Sequence, residues 1–133
     1  MQINLFLTRL MVVIGVALSP STHASTPSTQ AAAYSTQAGA PAQASRGQQF
    51  FTVKHGKDWS CASCHTVNPT VQGKHASTGK PIGSMAPSAN PERFTDQAKT
   101  EKWFRRNCND VMGRECTALE KADVLAWLLT FQH

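Results

Sequence analysis

Residues 61–65 read Cys61-Ala62-Ser63-Cys64-His65, and this short run constrains the chain more than any other stretch. A C-x-x-C-H sequence is the attachment signature of a c-type heme. Two thiols with two residues between them reach the two vinyl groups as thioethers, and the adjacent imidazole is delivered to one axial face of the iron. Two other chemistries use a C-x-x-C pair. A redox dithiol wants a strand before it and a β-α-β context, which this sequence does not offer. Half of a zinc site wants a second C-x-x-C or an H-x-x-x-H, and neither follows.

The start of the chain supplies the setting that thioether attachment needs. Arg9 precedes an apolar run over residues 10–18, and Thr22-His23-Ala24 offers small residues at both positions a signal peptidase reads. This predicts a signal peptide at 1–24, cleavage after Ala24, and heme attachment outside the cytoplasm, in the periplasm. The apolar run is short for a bilayer span, so an uncleaved anchor is the alternative, and no later stretch is apolar and long enough for a membrane helix. About 109 of the 133 residues then remain, enough for one small domain. Such a domain buries modest apolar surface, so a large flat cofactor would form much of its core.

Charge excludes little. Without Arg9 the chain carries 12 basic and 8 acidic side chains, a balance too mild to argue for nucleic acid. Many of the charges cluster between Arg93 and Arg114. They suit a basic face toward an acidic redox partner, or equally an ordinary solvated helix face.

Residues 25–45 are uncharged and rich in Ala, Gln, Ser, Thr and Pro. Residues 25–33 are expected to be a disordered or linker segment, and the heme domain to span 34–133. A short helix over residues 29–38 is expected around Tyr34, with Gly39 and Pro41 as stop signals. The next helix should run over 44–54 and close at Gly56. Gly47 and Phe51 share one of its faces, and a glycine opposite an aromatic suggests that another backbone crosses closely there. The expected crosser is the last helix. It opens on a capping box at Thr117 and Glu120, and Val124, Leu125, Trp127, Leu128, Leu129 and Phe131 make it apolar nearly all round. Residues 68–91 read as an irregular loop wrapping the cofactor. Thr95 is expected to cap a helix over 96–107, whose Trp103 and Asn107 share a face while Lys99, Lys102, Arg105 and Arg106 fall largely elsewhere. Strand signals are absent, so the expected fold is all-α, a class I cytochrome c-like arrangement of helices around one covalently bound heme.

A narrower resemblance rests on the run Arg105-Arg106-Asn107-Cys108-Asn109-Asp110-Val111-Met112-Gly113-Arg114-Glu115-Cys116. Thr78-Gly79-Lys80-Pro81-Ile82 and Asn90-Pro91-Glu92-Arg93-Phe94-Thr95 precede it. Together they resemble the sphaeroides heme protein (SHP) family of c-type cytochromes over residues 34–131. The resemblance implies Asn107 as the sixth iron ligand and a disulfide between Cys108 and Cys116. It further implies that the asparagine leaves on reduction, that the open ferrous iron binds a diatomic molecule such as oxygen or nitric oxide, and that a diheme cytochrome c is the electron partner.

Read without the family, four cysteines in an exported chain, two of them consumed by heme, leave Cys108 and Cys116 to pair. The sixth ligand stays open on residues alone, with five candidates. Met112 has the spacing usual for a closed electron carrier, and Met85 is a second thioether. His55 and His75 have polar neighbours and read better as surface residues. Asn107 offers a weak neutral oxygen and a common helix-end role. Spacing by itself selects Met112, and the resemblance moves the assignment to Asn107. Asn109 should point away from that face. Methionine ligation without ligand binding, as a plain electron carrier, is the alternative function. A zinc- or disulfide-stabilised interaction module is the non-heme alternative. An enzymatic role would need proton donors near the open position, and every acidic residue is expected to be exposed.

Overall fold

The computed structural model describes residues 25–56 and 58–131, and the expected signal peptide lies outside them. The described elements are α1 (Pro27–Ala38), α2 (Ala44–Thr52), α3 (Ala62–His65), β1 (Gly73–Lys74), β2 (Pro81–Ile82), α4 (Gln97–Met112) and α5 (Ala118–Leu128). The architecture is helical, as expected. The one departure is the antiparallel ladder of β1 and β2, which pairs Gly73 with Ile82 and Lys74 with Pro81. Two-residue strands are too short to carry an alternating pattern, so sequence gave no sign of them.

α1 starts earlier than expected, because Thr26 and Thr29 form a capping box and Pro27 takes the first helical position. Most of residues 25–33, expected as a linker, is therefore helical. Gln30, Ala31 and Tyr34 bury one face of it, and Gly39, at φ 64°, ends it where the sequence placed the stop. α2 ends at Thr52 rather than at residue 54, since Val53 is already extended; Gly56 turns the following loop at φ 63° instead of capping the helix.

α4 differs more. Asp96, not Thr95, is its N-cap, accepting from the Lys99 backbone N–H at 2.8 Å, and the helix continues past Asn107 to Met112. Nothing in residues 108–112 breaks a helix, and Gly113 is the first residue that takes the left-handed conformation cheaply, at φ 72°. Asn107 is thus an interior residue, not a helix-end cap.

α5 is the central element. It packs against α1 on one side and α2 on the other. Leu125 and Ala122 meet Ala31 and Tyr34 in one cluster, while Val124, Trp127 and Leu128 meet Phe51 in a second. Phe94 and Phe104 touch both clusters, and the Lys121 to Glu101 ion pair at 2.7 Å ties α5 to α4. Asp123 corrects the expectation that all acidic residues are exposed. It is 4% exposed, its carboxylate accepts the Arg46 fork at 2.7 and 2.8 Å, and it also accepts the Gln43 backbone N–H at 2.6 Å at the start of α2. Its place among Ala122, Val124 and Leu125 on α5 was the available signal, since a carboxylate buried there needs a partner. Among the described residues no helix is long and apolar enough to cross a membrane.

Candidate heme-binding site

The Cys61 carbonyl accepts the backbone N–H groups of Cys64 at 3.2 Å and His65 at 3.0 Å, which closes a single helical turn. Positions i, i+3 and i+4 of such a turn share a face, so the spacing of the motif sends both thiols and the imidazole the same way. The Ser63 hydroxyl accepts the Ser60 backbone N–H at 2.9 Å and stabilises the start of the turn. All three side chains line one cavity of about 460 Å³. β1 lies directly behind the turn: a side chain at Gly73 would strike the Cys64 carbonyl, and the Ala76 N–H donates to the Cys64 sulfur at 3.3 Å.

The opposite wall is α4. Thr100, Trp103, Phe104, Asn107, Cys108 and Val111 all line the cavity, and their spacing is that of one helical stripe. Lys99 and Arg106 flank this stripe and also reach the cavity, contrary to the expectation that the cations lie elsewhere; Lys102 and Arg105 do not. The remaining walls are mostly apolar, from Phe50, Phe51, Ile82, Met85, Phe94 and Val124. The 68–91 loop contributes several of its residues, as its composition suggested.

The chemistry of the donors fits a c-type heme. Cys61 and Cys64 are unpaired and half-buried, whereas Cys108 and Cys116 form a disulfide with Cα atoms 5.6 Å apart. Burial pushes the Cys61 thiol up to about 11, against the low-pKa thiolate that a redox dithiol requires. Burial, with a smaller contribution from Arg93, holds His65 down at about 4, so the imidazole is neutral and can donate a lone pair to iron. Its Nδ1 is buried without a hydrogen-bond partner among the described residues, so nothing on that side fixes the ring. Among the described residues no three His, Cys, Asp or Glu side chains converge on one point.

The cavity also sorts the five candidates for the sixth ligand. Asn107, Met85 and His75 line it; Met112 and His55 do not. Met112 falls off the α4 stripe because the helix continues through it. His55 is engaged elsewhere, with Nε2 2.6 Å from the Phe50 carbonyl. His75 departs from a plain surface reading, although its Nδ1 is occupied by the Thr78 N–H at 3.3 Å and the Ser77 hydroxyl at 3.2 Å. Asn109 is off the stripe, as expected, and donates to the Arg105 carbonyl at 2.8 Å. Gly73 behind the turn, and Asn90 and Arg93 in the cavity wall, were given no site role in the sequence reading. The last two stand in the 90–95 motif, whose polar residues beside Phe94 were the only signal.

Three comparisons bear on this site. Residues 37–128 match a family described as a domain of unknown function (DUF1924). Cytochrome c-type protein SHP of Cereibacter sphaeroides is 47% identical over 127 residues, covering 92% of this chain and 98% of that protein. The structure of oxidized SHP, described as an oxygen binding cytochrome c, superposes with a TM-score of 0.75 at 46% identity, over 82% of this chain and all of that one. Oxidized cytochrome c'' of Methylophilus methylotrophus superposes with a TM-score of 0.73 at 38% identity, over 80% of this chain and 95% of that one. With this identity over nearly the whole of both chains and the helical fold shared, the chain belongs to the SHP family of c-type cytochromes.

Proposed function

We propose that this chain is an exported monoheme c-type cytochrome that passes electrons and opens an iron position on reduction. Cys61 and Cys64 would hold the heme through thioethers, and His65 and Asn107 would serve as its iron ligands. The observation that carries the reading is that these four side chains line one cavity, while Met112, the usual choice by spacing, does not. A bound heme supplies a one-electron ferric/ferrous couple and an axial position for a small molecule.

The residues do the rest. His65, neutral and half-buried, would stay in place in both oxidation states. Asn107 offers an amide oxygen, a hard donor that suits ferric iron and suits the softer ferrous state poorly. With heme bound, reduction would therefore favour release of Asn107 and leave room for a diatomic molecule such as oxygen or nitric oxide. The SHP relative is described as oxygen binding, which agrees with this ligand class. The disulfide of Cys108, adjacent to Asn107, limits how far the vacated segment moves. The electron partner is an acidic redox protein, a diheme cytochrome c by family resemblance, and the setting is the periplasm after removal of residues 1–24.

The test is the optical and spin-state spectrum of the purified heme protein, ferric and then reduced, with and without carbon monoxide. The expected ferrous form is high-spin and binds carbon monoxide at once, and Asn107→Ala makes the ferric form high-spin as well. A reduced heme that stays low-spin and ignores carbon monoxide would instead favour the second reading. That reading is a closed electron carrier with Met85 on the iron, since Met85 lines the same cavity.

A further inference from the structure

We propose that Asn90 and Arg93 form a clamp for the carboxylate side chains of the heme, with Arg93 the cation that pairs with them. The proposal rests on the heme reading above and adds to it the group that anchors the polar edge of the cofactor.

Arg93 lies half-buried in the cavity wall, yet the described ion pairs engage Arg46, Arg114 and Lys121 and leave Arg93 without an acidic partner. Its guanidinium donates from Nε to the Ser84 carbonyl at 2.9 Å and from Nη2 to the Gly83 carbonyl at 2.6 Å. A guanidinium has five N–H donors, so these two bonds leave most of the fork available. Carbonyl dipoles orient such a group without neutralising it, and a half-buried cation with no counter-charge is costly. Desolvation accordingly pulls the Arg93 pKa below its ordinary value.

The local backbone is shaped around this side chain. The Arg93 N–H bonds to the Asn90 carbonyl at 3.0 Å, making a turn that returns both side chains to residues 83 and 84. A Cβ at Gly83 would sit 3.3 Å from Asn90 Nδ2 and 3.6 Å from Arg93 Nη2, so a glycine gives both donors room. Phe94 takes a left-handed φ of 59°, a strained conformation for a non-glycine residue, and this lets two consecutive side chains, Arg93 and Phe94, both line the cavity. Gln30 Nε2 holds the turn from α1 by donating to the Phe94 carbonyl at 2.8 Å. A heme carries two carboxylates, which need counter-charge where they leave water. Planar guanidinium and carboxylate groups match as bidentate partners. Lys80, exposed on the same cavity, adds a second cation at the rim.

The experiment compares the mature heme-loaded protein with Arg93→Gln, using heme labelled with carbon-13 in its carboxylates. Intact mass reports thioether-linked heme, spectroelectrochemistry reports the ferric-to-ferrous ratio at fixed applied potential, and redox difference infrared spectra report the labelled carboxylate band. Losing a nearby cation favours the more positive ferric state, so Arg93→Gln should raise that ratio about tenfold, ~59 mV for a one-electron couple, and displace the labelled band. An unchanged ratio and an unmoved band in a variant that carries heme would leave Arg93 as a staple of the 83–84 loop and overturn the clamp alone. A wild-type protein without thioether-linked heme would overturn the heme reading itself, and the clamp with it. Where Arg93→Gln does not accumulate, Arg93→Lys is read instead: it keeps the charge and loses the fork, so the labelled band must still move, and a stationary band overturns the proposal.

Discussion

The backbone carbonyl of Asp123 fills the space into which a side chain at Gly47 would project. Glycine is an unfavourable residue in the middle of a helix, and here it is the condition for α2 and α5 to cross backbone to backbone. The same contact brings the Asp123 carboxylate to Arg46 and to the Gln43 N–H, fixing the start of α2. Gly47→Ala should therefore destabilise the protein by ~1–3 kcal/mol, although alanine is the better helix former. Urea denaturation of the heme-loaded protein measures it, and a variant as stable as the parent would mean that the helices separate at little cost.

The Cys108 to Cys116 disulfide joins the interior of α4 to the residue before the N-cap of α5 and closes a short loop. Replacing both cysteines by serine should cost ~2–3 kcal/mol in the chain-entropy description. If the crosslink also holds Asn107 in place, the ferric heme of the double variant gains a high-spin fraction. A fully low-spin ferric spectrum with reduced stability would assign the disulfide to stapling only.

Sequence located this site through local chemistry and missed what depends on distant contacts. The C-x-x-C-H spacing is itself one helical turn, so its three side chains converge whatever surrounds them. Gly47 opposite an aromatic and the Thr117 capping box are also local, and both give what they suggested. Asn107 was the harder case. Its face follows from the spacing of Thr100, Trp103, Phe104, Cys108 and Val111, but only if the helix runs past residue 107, and asparagine and cysteine are poor helix formers. Burial of Cys108 and Val111 overrides that propensity. The α1 start was hidden for the opposite reason: an uncharged Ser/Thr/Ala composition looks disordered until Gln30, Ala31 and Tyr34 find a surface to cover.

Glu120 joins two stabilising features at the start of α5. Its carboxylate accepts the Thr117 N–H at 2.8 Å and pairs with the Arg114 fork at 2.7 and 2.9 Å. Partial burial pushes its carboxyl up, but Arg114 and Thr117 outweigh this and hold it below the ordinary value. A depressed carboxyl gives stability that is present above its unfolded value of 4.5 and is lost as pH falls through the folded one. Glu120→Gln should cost about 1 kcal/mol or less near pH 7, because its Arg114 partner is half exposed and solvent screens the pair. The difference should shrink toward zero below pH 4.5. An equal difference at both pH values would place the effect in packing instead.

Trp103 is 41% exposed, lines the cavity, and lies between Lys102 at 6.0 Å and Arg106 at 5.6 Å. An exposed indole flanked by cations and continuous with the cofactor site suits an acidic redox partner. Reversing both charges, with Lys102→Glu and Arg106→Glu, should slow electron exchange with such a partner about tenfold at low ionic strength. The effect should fade at high salt, where charges beyond a Debye length are screened. A salt-independent loss would locate the defect at the heme instead of on the approach surface.

Met85 is the thioether rival of Asn107 in the cavity, and its surroundings argue for a packing role. Its backbone N–H is fixed by the Pro69 carbonyl at 2.9 Å, and its side chain packs against the cluster of Phe51, Val124, Trp127 and Leu128. A side chain used this way tolerates a change of chemistry that conserves volume. Met85→Leu should therefore cost below about 1.5 kcal/mol and leave both the ferric spectrum and the carbon monoxide affinity of the ferrous form unaltered. Leucine has no lone pair, so the substitution is decisive in the other direction as well. A ferric heme that turns high-spin in Met85→Leu and stays low-spin in Asn107→Ala would transfer ligation to the thioether, whose softer sulfur holds ferrous iron as well as ferric. Release on reduction would then lose its chemical cause, and the cavity would serve electron transfer alone.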